Sequence, residues 1–130
     1  MTYPKAIGAD ALPVHFDVEP FHIAAAGALV ASPLVPAGQC LNPGCSGTFV
    51  RTRDWQVYCS AGCRAAGEAE MRRIGHKAAP ALLAWRMGKY ATIDPDLRAL
   101  GRAGRNYISE LQRAWLADRK AREHLAKGRR

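Results

Sequence analysis

Four cysteines constrain this chain more than any other feature, because all of them fall in two close pairs, Cys40-x4-Cys45 and Cys59-x3-Cys63. Thirteen residues separate the pairs. Such spacing gathers four thiolates round one tetrahedral cation, with metal–sulfur distances near 2.3 Å and no coordination position left for a reacting water. The expectation is one structural Zn²⁺ held by Cys40, Cys45, Cys59 and Cys63. Two disulfides would need an oxidising compartment. The first residues lack the basic start of an export leader, since Lys5 stands alone before Asp10, Asp17 and Glu19. A cytoplasmic protein is therefore expected. An iron–sulfur cluster also uses four thiolates, but the segment between the pairs favours zinc. Asn42, Pro43 and Gly44 permit a tight knuckle, while Thr48 to Arg51 and Trp55 to Tyr58 read as two strands about a turn at Thr52 to Asp54. Ser60 then caps a helix whose first turn carries Cys63.

The remaining sequence is sorted by its prolines and its helical spacing. Pro4, Pro13, Pro20, Pro33 and Pro36 exclude a long helix before the first cysteine. Residues 1–38 therefore read as an irregular segment: Val14, Phe16 and Val18 alternate as a short strand would, and Ile23 to Val30 fits either a helical turn or a buried strand. From Ser60 a helix is expected to run to about His76, and Pro80 interrupts it. Leu82, Leu83, Trp85, Met87 and Tyr90 then have the spacing of one buried face of a second helix. Asp94 followed by Pro95 opens a third, as cap and first helical position. Gly101 and Gly104 should weaken its middle, Ile108, Leu111 and Trp115 form its apolar stripe, and fraying is expected past Leu125. At 130 residues there is room for one ordinary domain or two very small ones. The best apolar run, Ile23 to Val35, is too short to span a bilayer and holds Pro33. The expected fold class is small α+β: a knuckle, β-hairpin and helix at residues 39–76, and a basic helical region at 77–130.

The stretch CLNPGCSGTFVRTRDWQVYCSAGCR resembles a bacterial treble-clef zinc finger. Its knuckle, with C-x-N-P-x-C, Phe49, and Tyr58 before Cys59 and Ser60, is similar to the CGNR family of zinc-finger transcription regulators. Its second pair, Tyr-Cys-Ser-x-x-Cys-Arg, is similar to the small zinc protein family of DNA gyrase inhibitors and to MYM and TRASH type fingers, several of which bind proteins. The resemblance implies the four cysteines as ligands, and Phe49 and Tyr58 as a small core over the metal. It leaves the partner open, because one fold hosts many functions.

Charge narrows the partner. The formal net charge is +8, and it is unevenly placed: residues 97–130 hold ten basic against three acidic side chains, whereas residues 1–39 hold one against three. A basic field beside a metal module favours an anionic polymer through long-range attraction and counterion release. Arg51, Arg53 and Trp55 lie at the expected hairpin tip, where guanidinium groups and an indole reach phosphates or stack on bases. Arg64, Arg72, Arg73 and Lys77 on the following helix, and Arg102 and Arg105 further on, are candidate backbone contacts. The expected function is a nucleic-acid-binding regulator of bacterial or phage type, with DNA as the first partner. The alternative is an adaptor or inhibitor that binds a protein through the apolar helix faces. Neither a membrane nor a small-molecule substrate is expected. Catalysis is not expected either, because no histidine lies between Phe49 and Ile74, and no phosphate-binding glycine loop or nucleophile elbow occurs.

Overall fold

The computed structural model describes residues 18–130. Most of the expected strand at Val14 to Val18 lies outside these residues. The described residues divide into two units, one ending at Leu34 and the other spanning Val35–Arg130. In the first, the segment left open between helix and strand is helical. The Pro20 carbonyl accepts from the amides of Ile23 and Ala24 and starts α1 (Phe21–Ala24), and α2 (Ala26–Ala31) follows directly. Of the two alternatives open for Ile23 to Val30, the helical one is therefore found, at Phe21–Ala24 and Ala26–Ala31.

The second unit corrects the expected α+β class. It is mostly helical, with no sheet among the described residues and one isolated antiparallel bridge, Gln39 to Thr48. The two segments expected to pair with each other instead bond to the chain at and just before the start of the knuckle. Cys40 N donates to Gly47 O (2.8 Å) and Phe49 N to Gly38 O (2.8 Å), while Leu41 N donates to Val57 O (2.7 Å). The loop between them is closed by its own polar side chains. Gln56 Oε1 accepts from both the amide and the hydroxyl of Thr52 at 3.0 Å, and Arg51 Nη1 donates to Asp54 O at 2.7 Å. Such local side-chain bonds offer the backbone an alternative to a strand ladder.

Two long helices make up the rest, α3 (Ala61–Gly88) and α4 (Pro95–Gly128). α3 is one helix of 28 residues and passes through both His76 and Pro80, where an end and a break were expected. Pro80 lacks the amide that would bond to His76, and an interior proline costs roughly 3 kcal/mol. It stands on an exposed face, and packing on α4 both before it, at Glu70, and beyond it, at Gly88, holds the helix continuous. α4 begins as expected, with Asp94 Oδ1 accepting from the amides of Asp96 (3.0 Å) and Leu97 (3.1 Å). It runs to Gly128, one turn past the expected fraying point.

Small residues, not the expected apolar side chains, form the helix crossing. Gly88, Gly101 and Gly104 are buried. A Cβ on Gly88 would stand 2.6 Å from Gly101 Cα, and one on Gly101 would stand 2.8 Å from Gly88 Cα. The backbones therefore touch at a distance that only glycine permits. Ala81, Ala84 and Trp85 flank this crossing half-buried. Leu83, Met87 and Tyr90 are exposed, Leu83 at 63%, and so is Leu82. On α4 the expected stripe holds: Ile108 is buried, and Leu111 and Trp115 are half-buried.

Candidate metal centre

The knuckle is built by Asn42. Its carbonyl accepts from the amides of Cys45 and Ser46, both at 2.9 Å, and its Oδ1 accepts from Gly44 N at 3.1 Å. Ser46 takes up the left-handed φ of 50° that the turn requires, held there by its hydroxyl donating to Pro43 O at 2.9 Å. At the other end of the site Ser60 Oγ accepts from Cys63 N at 3.2 Å, so the cap of α3 also places the last sulfur.

These two local structures bring the sulfurs of Cys40, Cys45, Cys59 and Cys63 within 4.8 Å of one another. Cys45 and Cys59 are 3.8 Å apart and Cys59 and Cys63 3.6 Å. A disulfide would require about 2 Å, and all four cysteines are free. A tetrahedron of sulfurs each about 2.3 Å from a central ion has edges of about 3.8 Å. The donor set therefore fits a metal ion, and its four ligands would fill the coordination sphere. Two hydrogen bonds orient the sulfurs from outside: Cys59 N donates to Cys40 Sγ and Asn42 Nδ2 to Cys63 Sγ, both at 3.4 Å. The Asn42 bond holds the Cys63 thiol down to about 7, whereas burial and then the neighbouring Cys63 push Cys59 up to about 12. Burial raises Cys40 as well. Four thiols this close cannot all ionise unless a cation neutralises them.

Of the two aromatic residues expected over the metal, Tyr58 lies against α3. A Cβ on Gly67 would stand 2.5 Å from Tyr58 Cε1, and burial raises the phenol above its ordinary value. Phe49 is half-buried beside the Gly38 carbonyl that its amide contacts.

A buried carboxylate joins the knuckle to both helices. Glu70 on α3 is 5% exposed, accepts from Trp115 Nε1 (3.0 Å) and Arg119 Nη1, and is ion-paired with Arg122 Nη2 (2.7 Å), all on α4. Burial pushes the Glu70 carboxyl up, but the bonds from Trp115, Arg122 and Arg119 outweigh it and leave the group below its ordinary value. Arg119 uses Nη2 to donate to Leu41 O at 2.8 Å, inside the knuckle. Arg122 Nε approaches Asp118 at 2.9 Å but out of line for a hydrogen bond. At the end of α4, Arg130 donates to Cys45 O and lies 3.6 Å from Cys45 Sγ. This set was missed in the sequence. Its signal was the i, i+4, i+7 spacing of Trp115, Arg119 and Arg122, which puts one donor face opposite Glu70 on an alanine-rich helix.

The candidate nucleic-acid contacts are all exposed but do not form one cluster. Arg51, Arg53 and Trp55 share the loop at 51–56, where the Arg53 guanidinium lies 5.2 Å from the centre of the Trp55 ring. Trp55 is 64% exposed. Arg64, Arg72, Arg73 and Lys77 are distributed round α3. Arg72 and Arg73 are about 100° apart on the helix, and Arg73 lines a groove of about 330 Å³ with Glu70, Ile74, Trp115, Asp118 and Arg122. Arg102 and Arg105 lie one turn apart on α4.

Comparison with protein-family models, curated proteins and solved structures finds no match. The site is therefore read from its own chemistry. Among the described residues, no helix is long and apolar enough to cross a membrane.

Proposed function

We propose that this chain is a zinc-stabilised nucleic-acid-binding protein, a small cytoplasmic regulator of bacterial or phage type acting on DNA. The observation that carries the proposal is the closed four-sulfur cluster set beside a helical hairpin whose cations outnumber its carboxylates. Zn²⁺ suits four thiolates in tetrahedral array, and a site of that kind supplies folding free energy, not a reactive water. The proposal accordingly assigns no catalytic step. Arg51, Arg53 and Trp55 are the candidate base- or phosphate-reaching group, and the arginines of α3 and α4 supply the field. The resemblance of the cysteine segment to regulator fingers points the same way.

Binding of duplex DNA, single strands and RNA by protein of verified zinc content, measured across a salt series, tests the proposal. A Kd in the micromolar range or tighter near physiological salt is expected. No measurable binding to any of the three would overturn it. A second reading, an adaptor that binds another protein, is favoured by one observation: Leu82, Leu83, Met87 and Tyr90 are exposed and not core. It predicts negligible nucleic-acid affinity and loss of a specific protein complex on Leu83→Glu substitution.

A further inference from the structure

The proposal above leaves open which surface meets the nucleic acid and how, and α4 carries an answer that rests on that proposal. With 3.6 residues per turn, Arg98, Arg102, Arg105 and Lys120 fall within an arc of roughly 60°. This arc lies about 100° round the helix from the line of Gly101, Gly104, Ile108 and Ala126, which is buried. All four cations are exposed, and none has a carboxylate within ion-pair distance among the described residues. The carboxylates of α4 are excluded from the arc or occupied. Asp96, Glu110 and Asp118 fall outside it, and Glu123, at its far end, is bound by Lys127 at 2.8 Å. From Arg98 to Lys120 the arc rises about 33 Å at 1.5 Å per residue, close to the roughly 34 Å of one duplex turn.

We infer that this face of α4 lies along the phosphate backbone of duplex DNA and binds it without regard to base sequence. Charge complementarity selects the ligand: Arg98, Arg102 and Arg105 within about 10 Å along the helix and Lys120 about 22 Å beyond, none paired with a carboxylate among the described residues, need a polyanion of matching length. A duplex is favoured over a single strand because the arc offers no stacking platform. Tyr107, the exposed aromatic residue of α4, lies outside it, and Trp115 is turned inward to Glu70. Arginine and lysine contacts of this kind position a protein and carry no base information.

The test is a salt titration of the full zinc-loaded chain on two labelled duplexes of unrelated sequence, with a matched single strand and an RNA hairpin. Four phosphate contacts predict a slope of log K against log salt of about −3.6. An Arg98→Gln, Arg102→Gln, Arg105→Gln variant should lower that slope by about 2.7 and weaken both duplexes equally. Glutamine keeps helix propensity, and the single Arg102→Gln variant, with an expected slope change of about 0.9, serves if the triple variant loses helix content or zinc. An Arg51→Gln, Arg53→Gln, Trp55→Ala variant separates the two levels of inference. If duplex binding survives the α4 substitutions with its slope intact but is lost with the loop substitutions, the α4 assignment fails and the general proposal stands. Preference for the single strand or the RNA also overturns the duplex assignment. If the unaltered protein binds nothing, both fall.

Discussion

Gly104→Ala gives the sharpest test of the helix crossing, because the same substitution elsewhere in these helices has the opposite expected sign. In a helix interior, alanine is favoured over glycine by about 0.8–1.0 kcal/mol. At Gly75 on α3 an added Cβ meets nothing within 4 Å, so Gly75→Ala should realise that gain. At Gly104 the added Cβ would overlap Ala81 O and lie 2.8 Å from Trp85 N and 3.2 Å from Ala84 Cβ. Non-bonded heavy atoms prefer about 3.5–4.0 Å. Two of these three neighbours are backbone atoms, which move only if the helices part. Overpacking of this kind costs about 1–3 kcal/mol, and it acts against a propensity gain of about 1 kcal/mol. The net expectation for Gly104→Ala is destabilisation by up to about 2 kcal/mol, once overpacking is set against propensity. The two variants should then differ by about 1–3 kcal/mol, or roughly 5–20 °C in Tm for a unit of this size. Far-UV circular dichroism during thermal unfolding, at fixed saturating metal, reads the difference. A Gly104→Ala protein that melts at or above the unaltered protein would refute the close backbone approach.

Three further outcomes follow from the site. Glu70→Gln leaves Arg119 and Arg122 without their buried counter-charge. It should cost about 2–4 kcal/mol, somewhat below the usual figure for a broken buried pair because Arg122 remains a third exposed; urea unfolding measures it. The Glu70 carboxyl lies below its ordinary value of 4.5, so its stabilisation is complete above that pH and is lost as pH falls through the lower folded-state value. The curves of the unaltered and Glu70→Gln proteins should therefore converge in acid. Chelation, or a Cys45→Ser and Cys59→Ser double substitution, should remove hydrogen-exchange protection from residues 39–59 and from the last turns of α4, tied to the knuckle by Arg119 and Arg130. The Gly88–Gly101 crossing should keep its protection longer. Trp55→Ala should change stability by no more than about 1 kcal/mol, since the exposed indole stands to lose only its cation–π contact with Arg53, so a larger loss of nucleic-acid binding by it reports contact and not folding.

What short-range chemistry decides was legible in the sequence. The cysteine spacing, the Asn42 turn, the Ser60 cap and the Asp94–Pro95 helix start each depend on atoms within a few residues, and each is found where expected. The errors lie where a distant partner decides. Thr48 and Phe49 have strand chemistry, but their backbone partners are residues 38–40, and no alternation pattern reveals that choice. Leu82, Leu83, Met87 and Tyr90 have the spacing of a core face. The crossing instead used Gly88, Gly101 and Gly104, residues that count against a helix by propensity and for it only when another backbone must come close. Pro80 misled for a related reason, since its local cost was visible and the packing that offsets it was not.

The same packing explains why a formal charge of +8 understates how unevenly the cations are used. On α4, Arg119 and Arg122 turn inward to a carboxylate and a carbonyl of the knuckle, and just past its end the exposed Arg130 is occupied by the backbone beside a sulfur. Arg119 and Arg130 hold the metal segment against α4, through Leu41 O and Cys45 O, and Arg122 ties α4 to α3 through Glu70. Arg98, Arg102, Arg105 and Lys120 are left outside that set by helical phase. Their direction is fixed at one end by the glycine crossing and at the other by the Glu70 hub. A rotation of α4 by one residue, about 100°, would bury the free cations and expose the structural ones. Stability of the glycine crossing and availability of the basic arc are therefore coupled. Gly104→Ala should weaken the salt-dependent binding expected of the arc even though Gly104 itself is buried and reaches no ligand. If the variant remains folded and binds duplex DNA with an unchanged salt slope, the orientation of α4 is not what presents those cations.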